Sequence, residues 1–244
     1  MPTDLESREL VAQACRVLGS MNLTKAATGH ISCLADDGKR IFIRGRGRAE
    51  VGVRFTTVEQ VITVDLDGNK IDGPDGIAVP IEVYIHTRLY RARSDVRSVV
   101  HVHPSTVVLF TICGKDIAPL YGAYDPSSLD LILDGIPTYD RSVLIDDEQL
   151  GDDLAAALGS KRVCLMRGHG ITSVGASVED AAIRAIQLNE AAEMNYQAHL
   201  LGQPRTIPEE DLKLFLEKKR QKDASGGSPR QAAAWRYYVE LSKG

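Results

Sequence analysis

Apolar residues recur every three to four positions across residues 4–21. They place Leu10, Ala14, Val17 and Leu18 on one face of an expected helix, which Asp4 is available to cap. The pattern then changes to short runs. A glycine turn at Ala27-Thr28-Gly29 leads into a strand at His30-Ile31-Ser32, and residues 40–44 read as a second strand. Thr56-Thr57-Val58-Glu59 resembles a capping box for one turn, ahead of a strand over 61–66 and the turn Asp65-Leu66-Asp67-Gly68. Pro80-Ile81-Glu82 sets a proline and an acid in the order that opens a helix, expected to run to residue 93.

Val99-Val100-His101-Val102-His103 is an apolar, β-branched strand, and Pro104 prevents its ladder from continuing. Helices are expected over 105–113, 126–133 and 150–158, with Tyr121, Tyr124 and Asp125 on a loop between the first two. A buried strand over 162–166 leads to Arg167-Gly168-His169-Gly170 and a further strand over 171–174. Ser177 caps a long helix to residue 201, whose broad face of small residues, Ala181, Ala182, Ala185 and Ala192 among them, suits close packing on a sheet. Gly202-Gln203-Pro204 ends it. A charged helix over 209–222, a mobile stretch at 224–229 and a last helix over 230–241 bearing Trp235, Tyr237 and Tyr238 complete the chain.

Strands alternating with helices imply an α/β domain. With 244 residues and no internal repeat or early linker, one domain over 1–202 with a helical extension over 203–244 is the expected organisation. The extension is expected to pack on that domain or on a neighbouring subunit. A formal net charge of −4 speaks against a nucleic-acid partner. No apolar run approaches the ~20 residues that span a bilayer, so no membrane partner is expected. The acidic start, Met1-Pro2-Thr3-Asp4, lacks the basic and apolar regions of a signal peptide. Cys15, Cys33, Cys113 and Cys164 sit in apolar contexts without CxxC spacing and read as reduced core thiols of a cytoplasmic protein.

The candidate chemistry lies at strand ends. Side chains two apart project from one face of a strand, so His101 and His103 present two imidazoles together where the strand stops. His169 stands between two glycines, which permit unusual torsions and close approach. Of the six histidines, only these three lie at strand ends beside glycine or proline, and three imidazoles with an open position make a catalytic metal site. His199, late in the long helix, reads as structural. Glu82 and His86, four apart, are either a surface pair or an acid/base near the metal. Arg44-Gly45-Arg46-Gly47-Arg48 is either a solvated loop or a loop offering guanidinium forks to an anion.

In chain order, Gly29-His30-Ile31-Ser32, Val64-Asp65-Leu66-Asp67-Gly68, Pro80-Ile81-Glu82 with Ile85-His86, Val99-Val100-His101-Val102-His103-Pro104 and Leu165-Met166-Arg167-Gly168-His169-Gly170 resemble the class II aldolase/adducin family over residues 8–202. The resemblance implies a three-layer α/β/α sandwich around a mostly antiparallel sheet. It also implies one divalent metal ion per subunit (Zn, Mn, Fe or Co) on His101, His103 and His169. Glu82 becomes a fourth ligand or the catalytic acid/base, and homotetramers with active sites between subunits are expected.

The departures bear on the substrate. Sugar-phosphate members carry small hydroxyl and amide groups where this chain has His30, Arg46-Gly47 and Pro80-Ile81, so a phosphate cradle is replaced by cations and apolar groups. Arg pairs bidentately with carboxylate. The variants resemble the branch that removes CO2 from aromatic or ring-derived acids such as 3,4-dihydroxyphthalate. The expectation is therefore a metal-dependent, non-oxidative decarboxylase of a small carboxylate in aromatic catabolism. Glu82 or His30 would protonate the product carbon, and Arg46, Arg48, Ser32 and Tyr124 would contact the substrate. An aldolase acting on a non-phosphorylated hydroxy-keto acid is the close alternative. An adducin-like interaction domain would not need the histidines and glutamate this chain retains.

Overall fold

A computed structural model of the chain describes residues 3–223 and 229–243. Helix α1 spans Asp4–Ser20, and is followed by strands β1 (His30–Leu34), β2 (Arg40–Arg44), β3 (Arg46–Gly47), β4 (Val61–Asp65), β5 (Lys70–Asp72) and β6 (Ile77–Ala78). Helix α2 (Tyr84–Ala92), strand β7 (Ser98–Val102), helices α3 (Ser105–Cys113) and α4 (Pro126–Asp134), strand β8 (Thr138–Tyr139) and helix α5 (Glu148–Leu158) make up the middle. Strands β9 (Val163–Met166) and β10 (Gly170–Gly175) precede helices α6 (Val178–Leu201), α7 (Glu209–Asp223) and α8 (Pro229–Leu241).

The main sheet runs β5-β4-β2-β1-β7-β10-β9-β8, and β3 pairs with β6 apart from it. Every neighbouring pair is antiparallel except β8 with β9. Alternation along the strands sends side chains into two cores. Ile31, Val100, Val102 and Ile171 join the apolar faces of α1, α3 and α6 on one side. Ile43, Val99 and Val174 join Ile85 and Leu89 of α2 and Leu154 and Leu158 of α5 on the other. Helices therefore cover both faces of a mostly antiparallel sheet. His101, two residues from Val99, faces the side covered by α2.

Several local expectations need correction. Thr3, not Asp4, caps α1: its side chain accepts from Glu6 N–H while Glu6 reaches back, and Asp4 pairs with Arg40. Residues 81–83 form a turn, and α2 begins at Tyr84 without a side-chain cap. Glu82 and His86 are consequently not a surface pair, and both are buried. The very short strands β5, β6 and β8 lack a pattern long enough to read. Cys113 is exposed, whereas Cys15, Cys33 and Cys164 are buried free thiols that burial pushes up to about 11, 12 and 12. The stretch expected to be mobile lies largely outside the described residues. Beyond it, Trp235, Tyr238 and Val239 of α8 pack against the α1/α6 core, and Tyr238 donates to Glu190 of α6.

Candidate metal centre

Three adjacent strands and one turn assemble the site. In the antiparallel register β1–β7–β10, His30 lies opposite His101, which lies opposite Thr172. His101 is the penultimate residue of the fully buried β7, and His103 follows directly after the strand, its N–H donating to Leu23 O. His169 sits in the tight connection between β9 and β10. Gly168 there adopts φ +61°, and its N–H donates to Thr111 Oγ1. Gly170 meets a different demand: a Cβ there would lie 2.4 Å from Val102 O and 2.6 Å from His103 Cδ2. The two glycines beside His169 thus have separate uses, a left-handed turn and a close approach.

Glu82 closes the cluster from the turn before α2. Its Oε1 accepts from Ile145 N–H at 3.0 Å, which aims Oε2 at 3.5 Å from both His101 Nε2 and His169 Nε2. The Nε2 atoms of His101 and His103 are 2.8 Å apart. One donor atom from each of Glu82, His101, His103 and His169 lies within 4.8 Å of all the others.

Protonation follows from the surroundings. His101 Nδ1 is 3.0 Å from the Ile171 carbonyl, which can only accept, so Nδ1 carries the proton and Nε2 offers a bare lone pair to the cluster. Burial lowers His101 against the pull of Glu82. Burial, reinforced by His101 and His169, pushes His103 down to about 3. Burial also opposes ionisation of Glu82. The Ile145 N–H and the facing imidazoles of His101 and His169 outweigh it and hold the carboxyl well below its usual range. His101 Nε2, bare, lies 2.8 Å from His103 Nε2, close enough for His103 to donate to it or for a cation to take both nitrogens. A borderline-soft divalent ion fits this set of three imidazoles and one carboxylate.

Other candidate residues are placed differently. His30 is buried, its ring centroid 5.1 Å from that of His101. Its Nδ1 lies 2.6 Å from His86 Nε2. Ser32 is fully enclosed and bonded to His86 and Tyr90. Arg44 is buried and bound to Glu50, Thr56 and Gly29 O. Glu50 also holds Arg46 at 2.9 Å, and Arg46 in turn binds Ala27 O, so both guanidiniums brace the loop that enters β1. Arg48 stands exposed at the turn. Tyr124, 77% exposed, lines a separate cleft of about 1000 Å³ between α4, α6, α7 and α8, whose walls include none of the four cluster residues. His199 Nδ1 bonds Asn195 O within α6, as a structural histidine would.

His86 and Tyr90 were not singled out as partners of His30 from the sequence. A signal existed: His30 and Ser32 alternate on a strand while His86 and Tyr90 repeat on a helix.

Comparison with known proteins matches residues 9–196 to the class II aldolase and adducin N-terminal domain. A 3,4-dihydroxyphthalate decarboxylase of Arthrobacter keyseri is 36% identical over 241 residues, covering 96% of this chain and 93% of that protein. A 3,4-dihydroxyphthalate decarboxylase of Rhodococcus jostii is 38% identical over 199 residues, with 79% and 81% covered. An aldolase II superfamily protein of Pseudomonas syringae superimposes with a TM-score of 0.83 at 23% identity, covering 100% of this chain and 94% of that one.

Proposed function

Since the chain belongs to the class II aldolase and adducin family, we propose that it is a metal-dependent, non-oxidative decarboxylase of a hydroxylated aromatic or ring-derived acid such as 3,4-dihydroxyphthalate. One observation carries the reading: His101, His103, His169 and Glu82 converge on one point, in a chain like those decarboxylases along nearly its whole length. The identity of the ion, Zn, Mn, Fe or Co, is set by availability as much as by this donor set.

When bound, a divalent ion supplies Lewis-acid polarisation and a template for the substrate. The chain's residues divide the remaining work. Three imidazoles and the ionised Glu82 carboxylate hold the ion. Arg48, exposed at the turn, and the half-exposed Arg46 attract the substrate's second carboxylate. Loss of CO2 breaks a carbon–carbon bond, leaves its electron pair on the product carbon and requires one proton there. Glu82 is held ionised and burial keeps His30 uncharged, so neither stores that proton at rest. It is drawn from solvent and delivered through Glu82 or through His30 at the edge of the cluster.

The same reading takes residues 1–202 as the catalytic domain and 203–244 as its helical extension. It includes a homotetramer with active sites between subunits, supported by the exposed Leu109 and Ile112 of α3, immediately after the metal motif. A cytoplasmic setting accords with three buried free thiols, and no helix among the described residues is long and apolar enough to cross a membrane. The test is to incubate metal-loaded enzyme with hydroxylated aromatic acids and ring-cleavage acids while measuring gas and organic products. Stoichiometric CO2 is expected. Release of an aldehyde or pyruvate instead would make the protein an aldolase of a hydroxy-keto acid.

A further inference from the structure

Beside the metal cluster, four buried polar side chains form an unbroken row. His30 and Ser32 alternate on β1, and His86 and Tyr90 lie one turn apart on α2, so each pair shares a face. His30 Nδ1 is 2.6 Å from His86 Nε2, His86 Nδ1 is 2.6 Å from Ser32 Oγ, and Ser32 Oγ is 2.7 Å from the Tyr90 hydroxyl. The residues are 3%, 0%, 0% and 6% exposed, in the order His30, His86, Ser32, Tyr90. Among the described residues, His30 Nε2 has no hydrogen-bond partner, and its ring leans against that of His101.

The protons of this row can be arranged in more than one order, and counting acceptors separates the orders. Suppose Tyr90 donates to Ser32, Ser32 donates to His86 Nδ1, and His86 Nε2–H donates to His30 Nδ1. Every proton within the row then has an acceptor, and His30 keeps its own proton on Nε2. In the reverse order the Tyr90 O–H has no acceptor among the described residues. If Ser32 accepts from both neighbours, its own proton is stranded. Each order leaves one proton unmatched within the row. The first leaves it on His30 Nε2 at the edge of the metal cluster, where a bound oxygen can accept it, whereas the others strand it on Tyr90 or Ser32, so the first order is favoured.

We propose that Tyr90, Ser32 and His86 are positioning residues that hold His30 as an Nε2–H donor turned toward the metal cluster, where it grips an anionic oxygen of the substrate. The identity of that oxygen, a carboxylate or ring-oxygen anion beside the departing group, rests on the decarboxylase reading. The hydrogen-bond order does not.

Nitrogen NMR of zinc-loaded, full-length protein labelled with ¹⁵N in its histidine rings tests the order directly, with His30→Asn and His86→Gln assigning the signals. The expected spectrum shows bare Nδ1 and protonated Nε2 for His30. A protonated Nδ1 with bare Nε2 would overturn the proposal. In Tyr90→Phe the row loses its terminal donor, so the His30 signals should move toward a mixture of both tautomers, and unmoved signals would count against the row. In Ser32→Ala the KM for the acid that releases CO2 should rise about tenfold, more than kcat falls. An unchanged KM would remove His30 from substrate binding. Absence of turnover with every acid tried would sink the decarboxylase reading alone, because the spectrum needs no substrate.

Discussion

His103 and Glu82 contribute to the centre in different ways, and substitution separates them. Replacing His103 with Ala removes one of three imidazoles and leaves its neighbour His101 facing a gap. Metal content by elemental analysis should fall to well under half, with turnover lost; full metal content with normal turnover would show that the ion is held elsewhere. Glu82→Gln keeps the shape and all three imidazoles but removes the charge and weakens the contacts at 3.5 Å to His101 and His169. That variant should keep most of its metal while losing turnover about 100-fold, a magnitude ordinary for a ligand or acid/base at a metal site. A normal rate would remove Glu82 from the chemistry. At this scale the sequence was informative where spacing along one strand or turn is enough, as with His101, His103 and His169. It was silent on Ile145, whose N–H aims Glu82 from 63 residues away.

Among the elements, α3 departs most from the behaviour of a surface helix. Val107, Phe110 and Thr111 are buried, yet Leu109 and Ile112, 46% and 63% exposed, lie outside with Cys113. A helix apolar all round is ordinarily covered on all sides. Leu109→Glu combined with Ile112→Glu should therefore shift the protein to a smaller species in sedimentation velocity, and an unchanged sedimentation coefficient would exclude α3 from the subunit interface. Long, strongly patterned elements such as α3, α6 and β2 could be read from the sequence nearly to the residue. The start of α2 could not be. Pro80-Ile81-Glu82 carries helix-opening residues, but the Ile145 N–H and the facing imidazoles claim Glu82, and the helix begins only after that turn.

At the scale of the whole molecule, burying uncharged imidazoles makes stability depend on pH. Burial, with His101 adding to it, lowers His86 from an ordinary 6.5 to about 3. The unfolded chain therefore binds a proton in that window that the native protein refuses, so stability is full above the ordinary value and falls as pH drops toward the lowered one. Burial lowers His30 in the same direction. Urea midpoints of the metal-free protein should fall from about pH 6 to about pH 4, with His86→Gln flattening the slope. A midpoint independent of pH would mean that these imidazoles are not held neutral. The sandwich itself was implied by resemblance and by alternating elements, whereas the strand order was not readable, because pairings such as β1 with β7 join residues far apart in the chain.

By itself the sequence determined the metal-type motifs and the alternation of strands and helices, because each is written in neighbouring residues. Tertiary structure alone decided which carboxylate oxygen meets the imidazoles, that Arg44 and Arg46 brace a loop, and that Tyr90, Ser32, His86 and His30 form one row. The physical reason is the same in each case. A hydrogen bond between a strand and a helix depends on register and packing across the sheet, and local spacing carries no record of either.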